Sequence, residues 1–374
     1  MDFTAPEGLI EHFSKLQDPR VDRNKKHELI DVIVLCVCAV LSGAEGWCDI
    51  EEFGRTKLDW LRRYVPLANG IPVDDTIARI ISALSVSGFQ ECFLSWMEDV
   101  VKLSEGEIIA LDGKTHRRSH DRKRGVKALH MVSAWACRNG VVLGQVKTDE
   151  KSNEIVAVPQ LLEKLELKGC IVTLDAMGCQ RAIAKQVREG GGDYVLTLKR
   201  NQPELEAEVR EYFEAASEED YDRAEIENEE TSEEGHGRIE HRSYFLSTDL
   251  SSLSGVEKWR GLKGIGMVES ERHCGGRVSI EQRYFITSLD DVKLFQQSVR
   301  SHWGIENALH WRLDVTFRED ESRIRRGNAP HNIGVIRHVA MNLLRREKTK
   351  ISYRKKRIRA ALNDAFRHKL LMGQ

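Results

Sequence analysis

The feature that most restricts the fold is an alternation of short apolar and amphipathic segments between residues 107 and 198. Three apolar segments come first, and their length and β-branched content predict strands: "EIIALDG", "ALHMVSAWAC" and "VVLGQVKTD". Two segments of helical periodicity follow, "NEIVAVPQLLEKLEL" and "QRAIAKQVREG", each leading to a further strand, "CIVTLDAMG" and then "DYVLTLK". This order predicts an α/β domain with a mixed sheet flanked by helices.

Together with the segments on either side, this pattern predicts a helical N-terminal domain at 1–100, the α/β domain at 101–345 and a basic, loosely packed helical tail at 346–374. A partly β insertion is expected at about 205–280, with "CGGR" as a hairpin turn. "DVKLFQQSVRSHWGIENALHWRL" predicts the helix that closes the domain. Two interpretations of the N-terminal helices stay open, a DNA-binding helix-turn-helix and a helical bundle without a DNA role.

Composition and apolar run length exclude several classes of protein. The chain of 374 residues is 41% hydrophobic and 31% charged, as in globular proteins. Its longest apolar run, "LIDVIVLCVCAVL", is too short for a membrane span and predicts a buried helix. No signal peptide is recognised at "MDFTAPEGL", and the eight cysteines form no CxxC pair. We therefore expect a cytoplasmic protein with reduced core cysteines and no membrane partner.

Charge is balanced overall but unevenly distributed along the chain. Residues 300–374 contain 18 Lys and Arg against 7 Asp and Glu, and residues 114–127 contain 7 Lys and Arg against one Asp. Ten carboxylates face one Arg between 218 and 234. This segregation predicts a basic surface for polyphosphate such as DNA, and solvated helix faces are the alternative explanation.

Two predicted strands lead into carboxylates, Asp112 in "EIIALDG" and Asp175 in "CIVTLDAMG". Ligand sites of open α/β sheets form beyond the carboxyl ends of strands, so we expect the two side chains to meet there if their strands are neighbours. Each Asp can alternatively begin a turn or cap the next element. Two Asp and one Glu from separate elements would suit Mg²⁺ or Mn²⁺.

The stretch "RSHWGIENALHWRLDVTFRED" places His302, Glu306, His310 and Asp314 at every fourth residue, on one face of a helix. HExxH is absent and the strand-end partners are carboxylates, so a zinc site is disfavoured and both histidines are expected in the core. On the same helix, Trp303 and Trp311 are expected to wedge the helix against the sheet.

Several motifs together resemble the H-repeat-associated insertion-sequence transposases of bacteria: "IALDGKTHRRS", "KTDEKSNEI", "TLDAMGCQ", "GGDYVLTLKRNQ" and "HWGIENALHWRLDVTFREDESRIRRGNA". The resemblance implies an RNase H-like DDE catalytic domain with a β-rich insertion, preceded by an all-helical domain with a presumed DNA-contacting role. It assigns Asp112, Asp175 and Glu306 as catalytic metal ligands, for two Mg²⁺ or Mn²⁺ ions. His302, Trp303, Asn307, His310 and Trp311 would support them.

The sequence departs from the pattern of many related transposases, Tyr-x2-Arg-x3-Glu-x6-Lys, whose Tyr and cations contact DNA phosphates. Val299, His302 and Leu313 stand at those places. A neutral His donates one hydrogen bond where Arg offers a charged fork. The substitutes expected from charge and position are Lys114, Arg117, Arg118, Lys199, Arg325 and Arg326.

The resulting prediction is a transposase that cleaves DNA at the inverted repeats ending an insertion sequence and joins the 3′-hydroxyl to target DNA. A homodimer is expected in the synaptic complex. No nucleotide cofactor is expected, because the sequence has neither GxxxxGK[ST] nor a strand-linked GxGxxG. The alternatives are an inactive or repurposed DNA-binding relic of a transposase and a metal-dependent nuclease without strand transfer.

Overall fold

The computed structural model describes residues 8–116, 118–120, 128–148, 154–218, 221, 226–235 and 237–372. The strands are β1 Ile108–Thr115, β2 His130–Ala136, β3 Val141–Thr148, β4 Ile171–Leu174, β5 Asp193–Leu198, β6 Ile226–Gly235, β7 Arg238–Ser247, β8 Gly264–Cys274 and β9 Arg277–Thr287. The helices are α1 Leu9–Phe13, α2 Leu29–Leu41, α3 Trp47–Thr56, α4 Leu58–Leu61, α5 Asp74–Ala83, α6 Val86–Val100, α7 Glu154–Leu162, α8 Arg181–Glu189, α9 Pro203–Ser217, α10 Val292–Gly304, α11 Trp311–Val315, α12 Ala329–Arg346, α13 Tyr353–Leu362 and α14 Asp364–Met372.

All nine described strands belong to one sheet, in the order β3-β2-β1-β4-β5-β9-β8-β7-β6. Strands β1 to β3 form an antiparallel meander, and β4 and β5 run parallel to β1. Two helices, α7 and α8, provide the crossovers between the parallel strands. The predicted α/β class with a mixed sheet is confirmed.

The β-rich insertion does not form a sheet of its own. Strand β9 pairs antiparallel with β5, so the insertion extends the central sheet. The "CGGR" turn joins β8 to β9 and has positive φ at Gly275 (57°) and Gly276 (76°), a backbone conformation that favours glycine. Strand β6 was not predicted, because its five glutamates read as a charged stretch. It is the edge strand of the sheet, where charged side chains face solvent.

Helix α12 joins the N-terminal helices to the sheet. It contacts α2, α5 and α6 on one side and β3 on the other. Its buried asparagines bond backbone on both sides, because Asn332 donates to Ile81 O (2.8 Å) and Asn342 bonds Val142 N (3.0 Å) and Val142 O (2.9 Å). The apolar run "LIDVIVLCVCAVL" forms α2 and is buried, as predicted.

The C-terminal helices α13 and α14 are firmly packed, so the prediction of a loosely packed tail is wrong. Arg367 is fully buried, and its guanidinium lies 4.0 Å from the ring centre of Trp60. Arg357 is also buried and donates to Val40 O (3.1 Å) and Ala44 O (3.3 Å) at the end of α2. These cations cover the N-terminal helices, a role that charge alone does not reveal.

Two further expectations concern helices and cysteines. In the described part of the chain, no single helix is long and apolar enough to cross a membrane. Helices α5 and α6 meet those criteria only when taken together, and they are bent by 88°. The eight cysteines are free, and five of them are buried.

Candidate active site

The parallel pairing of β1 with β4 places two carboxylates side by side. The pairing runs from Ile108↔Ile171 to Leu111↔Leu174, and Asp112 and Asp175 are the next residues of their chains. Strand β1 continues to Thr115 through its pairing with β2, so the strand does not end on Asp112 as predicted. What ends there is the parallel pairing, at the carboxyl edge where α/β sheets bind ligands.

Asp175 also caps a short 3₁₀ turn at Ala176–Gly178. Its Oδ1 accepts hydrogen bonds from Met177 N (3.0 Å) and Gly178 N (3.4 Å). The turn-capping interpretation is therefore correct for this residue. It is compatible with a site, because both bonds use Oδ1 and fix the orientation of the carboxylate.

Glu306 enters from the other side of the same cavity. The closing helix is not continuous, because Ile305–His310 forms a π-helical turn between α10 and α11. Such turns widen the helix locally and are frequent at functional sites. The cavity has a volume of about 260 Å³, and its lining includes Asp112, Asp175 and Glu306 together with Lys199 and His302.

The electrostatic environment of Asp112 reflects this convergence of carboxylates. Burial raises its pKa to about 7, and the negative charges of Asp175, Glu306 and Glu154 act in the same direction. A hydrogen bond from Gly113 N to Oδ1 (2.8 Å) opposes the shift only in part. A cation in the cavity would relieve this repulsion.

The donor set fits a hard divalent cation, because three carboxylates and no thiol line the cavity. Among the residues that the structure describes, however, no three His, Cys, Asp or Glu side chains lie close enough together to hold one ion. The described arrangement therefore brings the acidic side chains to one cavity without gathering them into a coordination shell.

The two histidines of the closing helix are half-buried rather than core residues, and both are uncharged near neutral pH. His302 is half-buried, its Nδ1 lies 2.9 Å from Thr173 Oγ1, and partial loss of solvent lowers its pKa to about 4. Burial likewise lowers the pKa of His310 to about 3. Its Nδ1 lies 3.5 Å from Asp112 Oδ2, which places the ring directly behind that carboxylate.

The two tryptophans do not wedge the helix against the sheet, and that prediction is wrong. Trp311 is 58% exposed and Trp303 is 37% exposed. Trp303 lines the carboxylate cavity and lies under the guanidinium of Arg283, 4.4 Å from the ring centre. Asn307 is exposed and donates from Nδ2 to Trp303 O (3.2 Å), within the π-helical turn.

Lys114 does not lie on the surface, where a DNA contact would have to be. It is buried, and its Nζ lies 2.5 Å from Asp314 and 2.9 Å from Glu319. Burial would raise the pKa of Glu319, but the charges of His116, Lys114 and Arg337 outweigh it and hold that pKa well below its usual range. We therefore reassign Lys114 to positioning the closing segment against β1.

The other predicted DNA contacts lie at two separate places. Lys199 is exposed and lines the carboxylate cavity. Arg118 and Arg326 are exposed, and Arg325 is half-buried with its Nε bonded to Arg118 O (2.8 Å), so these arginines form a second basic group. Arg117 lies outside the described residues.

Sequence reasoning missed a buried pair behind Asp112. Glu154 Oε1 lies 2.5 Å from His130 Nε2, and His130 Nδ1 lies 2.8 Å from Thr115 Oγ1. A Cβ on Gly113 would come within 2.2 Å of Glu154 Oε1, so only glycine fits beside Asp112 here. The available signal was the segment "KTDEKSNEI", which contains Glu154.

Comparisons with known proteins identify the family of the chain. The family model described as "Transposase DDE domain" matches residues 103–343, and the one described as "DDE_Tnp_1-associated" matches residues 10–97. The chain belongs to the DDE transposase family. The RNase H-like fold expected from the resemblance agrees with the strand order of the sheet.

The curated relatives of this transposase-family chain include full-length matches. "H repeat-associated putative transposase YhhI" of Escherichia coli (strain K12) is 42% identical over 372 residues, 98% of each chain. An "Uncharacterized protein in dhlA 3'region" of Xanthobacter autotrophicus is 43% identical over 280 residues, 74% of this chain and 92% of that protein. The Escherichia coli "Inactive transposase YbfQ" is 54% identical over 74 residues, 20% of this chain and 88% of that protein.

Among solved structures, a piggyBac transposase synaptic complex with hairpin DNA is similar, with a TM-score of 0.45 and 10% sequence identity. The match covers 97% of this chain and 77% of that chain. At this level the similarity supports no conclusion of its own, and family membership rests on the sequence.

Proposed function

We propose that this protein catalyses metal-dependent DNA cleavage and strand transfer at the ends of an insertion sequence, with Asp112, Asp175 and Glu306 as its catalytic residues. The observation that carries the proposal is that these carboxylates, from β1, the end of β4 and the π-helical turn, line one cavity at the carboxyl edge of the sheet. Family membership supports a transposase or nuclease type of enzyme.

The cofactor in this proposal is Mg²⁺ or Mn²⁺, bound in the cavity that the three carboxylates line. When bound, such ions supply charge neutralisation at the leaving oxygen and ease ionisation of an attacking water or 3′-hydroxyl. The chain contributes the remaining parts. The turn cap fixes Asp175, Lys199 offers a cation beside the cavity, and His310 supports Asp112 from behind.

The partners in this proposal are the terminal inverted repeats of the element and a target duplex. Joining two ends to one target requires two active sites, so the synaptic complex would contain at least two copies of the chain. The basic group at Arg118, Arg325 and Arg326 provides a second contact area for phosphates outside the cavity.

The test incubates the full chain with labelled duplexes that carry the inverted repeats found beside its gene, in Mg²⁺ or Mn²⁺. Asp175→Asn keeps an oxygen for the turn cap but removes the charge. Asp290→Ala is the control, because Asp290 is exposed and pairs only with Lys263 among its described contacts. We expect joined products from the unaltered chain and the control, and a loss of at least about a hundredfold in Asp175→Asn.

The same assay separates the alternatives. Cleavage without joined products would identify a nuclease. Binding without cleavage, in all three proteins, would identify a DNA-binding relic. One relative is named an inactive transposase. Equal activity of Asp175→Asn and the unaltered chain would refute the site.

A further inference from the structure

A second cavity, rich in arginine, lies beside the carboxylate cavity. Its volume is about 160 Å³, and it is enclosed by β7, β8, β9 and α10 with the tip of β6. The two cavities share the side chains of Arg283, Phe285, Val299 and Trp303. These side chains therefore form a wall that the two cavities share.

Positive charge exceeds negative charge in the lining. Five guanidinium groups contribute, those of Arg238, Arg242, Arg272, Arg283 and Arg300, against the three carboxylates of Glu233, Glu240 and Glu281. Arg300 bonds Glu233 (2.7 Å), Arg242 and Arg272 bond Glu240 (2.8 and 3.1 Å), and Arg283 bonds Glu281 (2.9 Å). Each guanidinium carries five N–H donors, so three carboxylates leave many donors unmatched.

Tyr244 also lines this cavity, and its hydroxyl is a buried group without a partner among the described residues. The residue as a whole is completely buried. An unpaired buried hydroxyl is costly, and such groups in native proteins usually have a ligand or water to bond. This observation is independent of the arginines and favours the same kind of ligand, an oxygen-rich anion.

The size and donor set together select the ligand. Arginine forks match the paired oxygens of phosphate, and a hydroxyl adds a further bond. A volume of about 160 Å³ accommodates one phosphate group. The shared wall places such a phosphate next to the carboxylates.

We propose that the arginine cavity binds one backbone phosphate of the DNA strand whose reacting phosphodiester lies at Asp112, Asp175 and Glu306. This proposal rests on the proposed function and extends it. It answers the question raised by the missing phosphate clamp, since Val299, His302 and Leu313 on the closing helix supply no cation. The cations come instead from the insertion strands and from Arg300.

Arg283 is the cationic residue that the two cavities share. It belongs to both linings, its guanidinium is held over the Trp303 ring, and its only described carboxylate contact is the exposed Glu281. Removing its charge therefore leaves no buried carboxylate unpaired. Arg210 is a matched control, because it lies on α9 of the same insertion, is exposed, pairs with Glu206 (3.9 Å) and lines neither cavity.

The experiment measures the dissociation constant of the full chain for a fluorescein-labelled duplex, in EDTA, over a series of KCl concentrations. Each phosphate contact contributes about 0.9 to the slope of log affinity against log salt. We expect Arg283→Gln to reduce the slope by about 0.9 and Arg210→Gln to leave it unchanged. An unchanged slope for Arg283→Gln would overturn the proposal.

A second variant keeps the proposal testable if Arg283→Gln fails to fold. Tyr244→Phe removes only the hydroxyl, which has no described partner to lose, so its unfolding midpoint should equal or exceed that of the unaltered chain. We expect about tenfold weaker DNA binding, because a hydrogen bond to a charged group is lost, with an unchanged salt slope. Binding equal to that of the unaltered chain would overturn the placement of the phosphate in this cavity.

The two proposals fail separately. DNA binding in EDTA needs no catalysis, so a smaller slope for Arg283→Gln supports the phosphate site even where no joined products form. Joined products from the unaltered chain, with no slope change in Arg283→Gln, would instead support the catalytic site and overturn the phosphate site. Asp175→Asn should retain the slope of the unaltered chain.

Discussion

Asp112 shows how the fold determines the chemistry of a single residue. The same carboxyl group would ionise near pH 3.8 in an unfolded chain, but burial and three neighbouring carboxylates raise its pKa to about 7. The sequence indicated Asp112 through the apolar segment before it. The neighbour Glu154 was invisible there, because its approach to Asp112 depends on how α7 packs against β2 and β3.

Stability should therefore depend on pH through Asp112. Because the folded pKa exceeds the unfolded one, the folded chain holds the proton to higher pH, and stability falls as pH rises from about 4 to about 7. Asp112→Asn cannot ionise but keeps an acceptor for Gly113 N. We expect the free energy of unfolding of Asp112→Asn, measured relative to that of the unaltered chain, to increase by about 2 kcal/mol when the pH is raised from 5 to 8.

Urea unfolding in EDTA at both pH values measures this difference. Other titrating groups cancel, because they are common to both proteins. A difference in unfolding free energy that stays constant between pH 5 and pH 8 would show that Asp112 ionises normally.

At the scale of elements, the sequence predicted those helices and strands that show a hydrophobic periodicity. The strands around Asp112 and Asp175 and the helices between them were found because each buries an apolar face. Strand β6 was missed because an edge strand needs no apolar face. The π-helical turn at Glu306 was missed because one extra residue per turn leaves the local composition unchanged, and it disrupts the four-residue ladder of His302, Glu306, His310 and Asp314.

Helix α13 packs against the rest of the protein through a charged side chain, that of Arg357. Arg357 donates to Val40 O, Ala44 O and Thr316 O, and its guanidinium lies 4.5 Å from the ring centre of Phe317. Lysine cannot reproduce this planar fork. We expect Arg357→Lys to lower the free energy of unfolding by about 2 to 3 kcal/mol, because buried carbonyls lose their donors.

Arg354 on the same helix provides the control. It is exposed, so Arg354→Lys should change the free energy of unfolding by less than about 0.5 kcal/mol. Denaturant unfolding of both variants measures the contrast. Equal effects of the two substitutions would mean that α13 packs as loosely as its sequence predicted.

At the scale of the whole molecule, two family models describe segments that share one core. A single hydrophobic cluster extends from Leu9 in α1 through the sheet to Leu371 in α14. The sequence predicted separate helical and α/β regions from their different periodicities. It did not indicate that the two regions share a core, because the burial of α12 on two sides is apparent only once its partners are known.

This shared core predicts cooperative unfolding. Without residues 1–100, α12 would expose the side that contacts α2, α5 and α6, and Asn332 would lose its bonds to Ile81 O and Leu84 O. We expect the full chain to unfold in one calorimetric transition and a fragment of residues 101–374 to lack the dispersed NMR spectrum of a folded protein.

A fragment that unfolds cooperatively by itself would show that the N-terminal helices form an independent unit, and DNA contacts could then move relative to the carboxylate cavity. One transition would instead mean that the N-terminal helices and the cavity are held in a fixed relation when DNA binds.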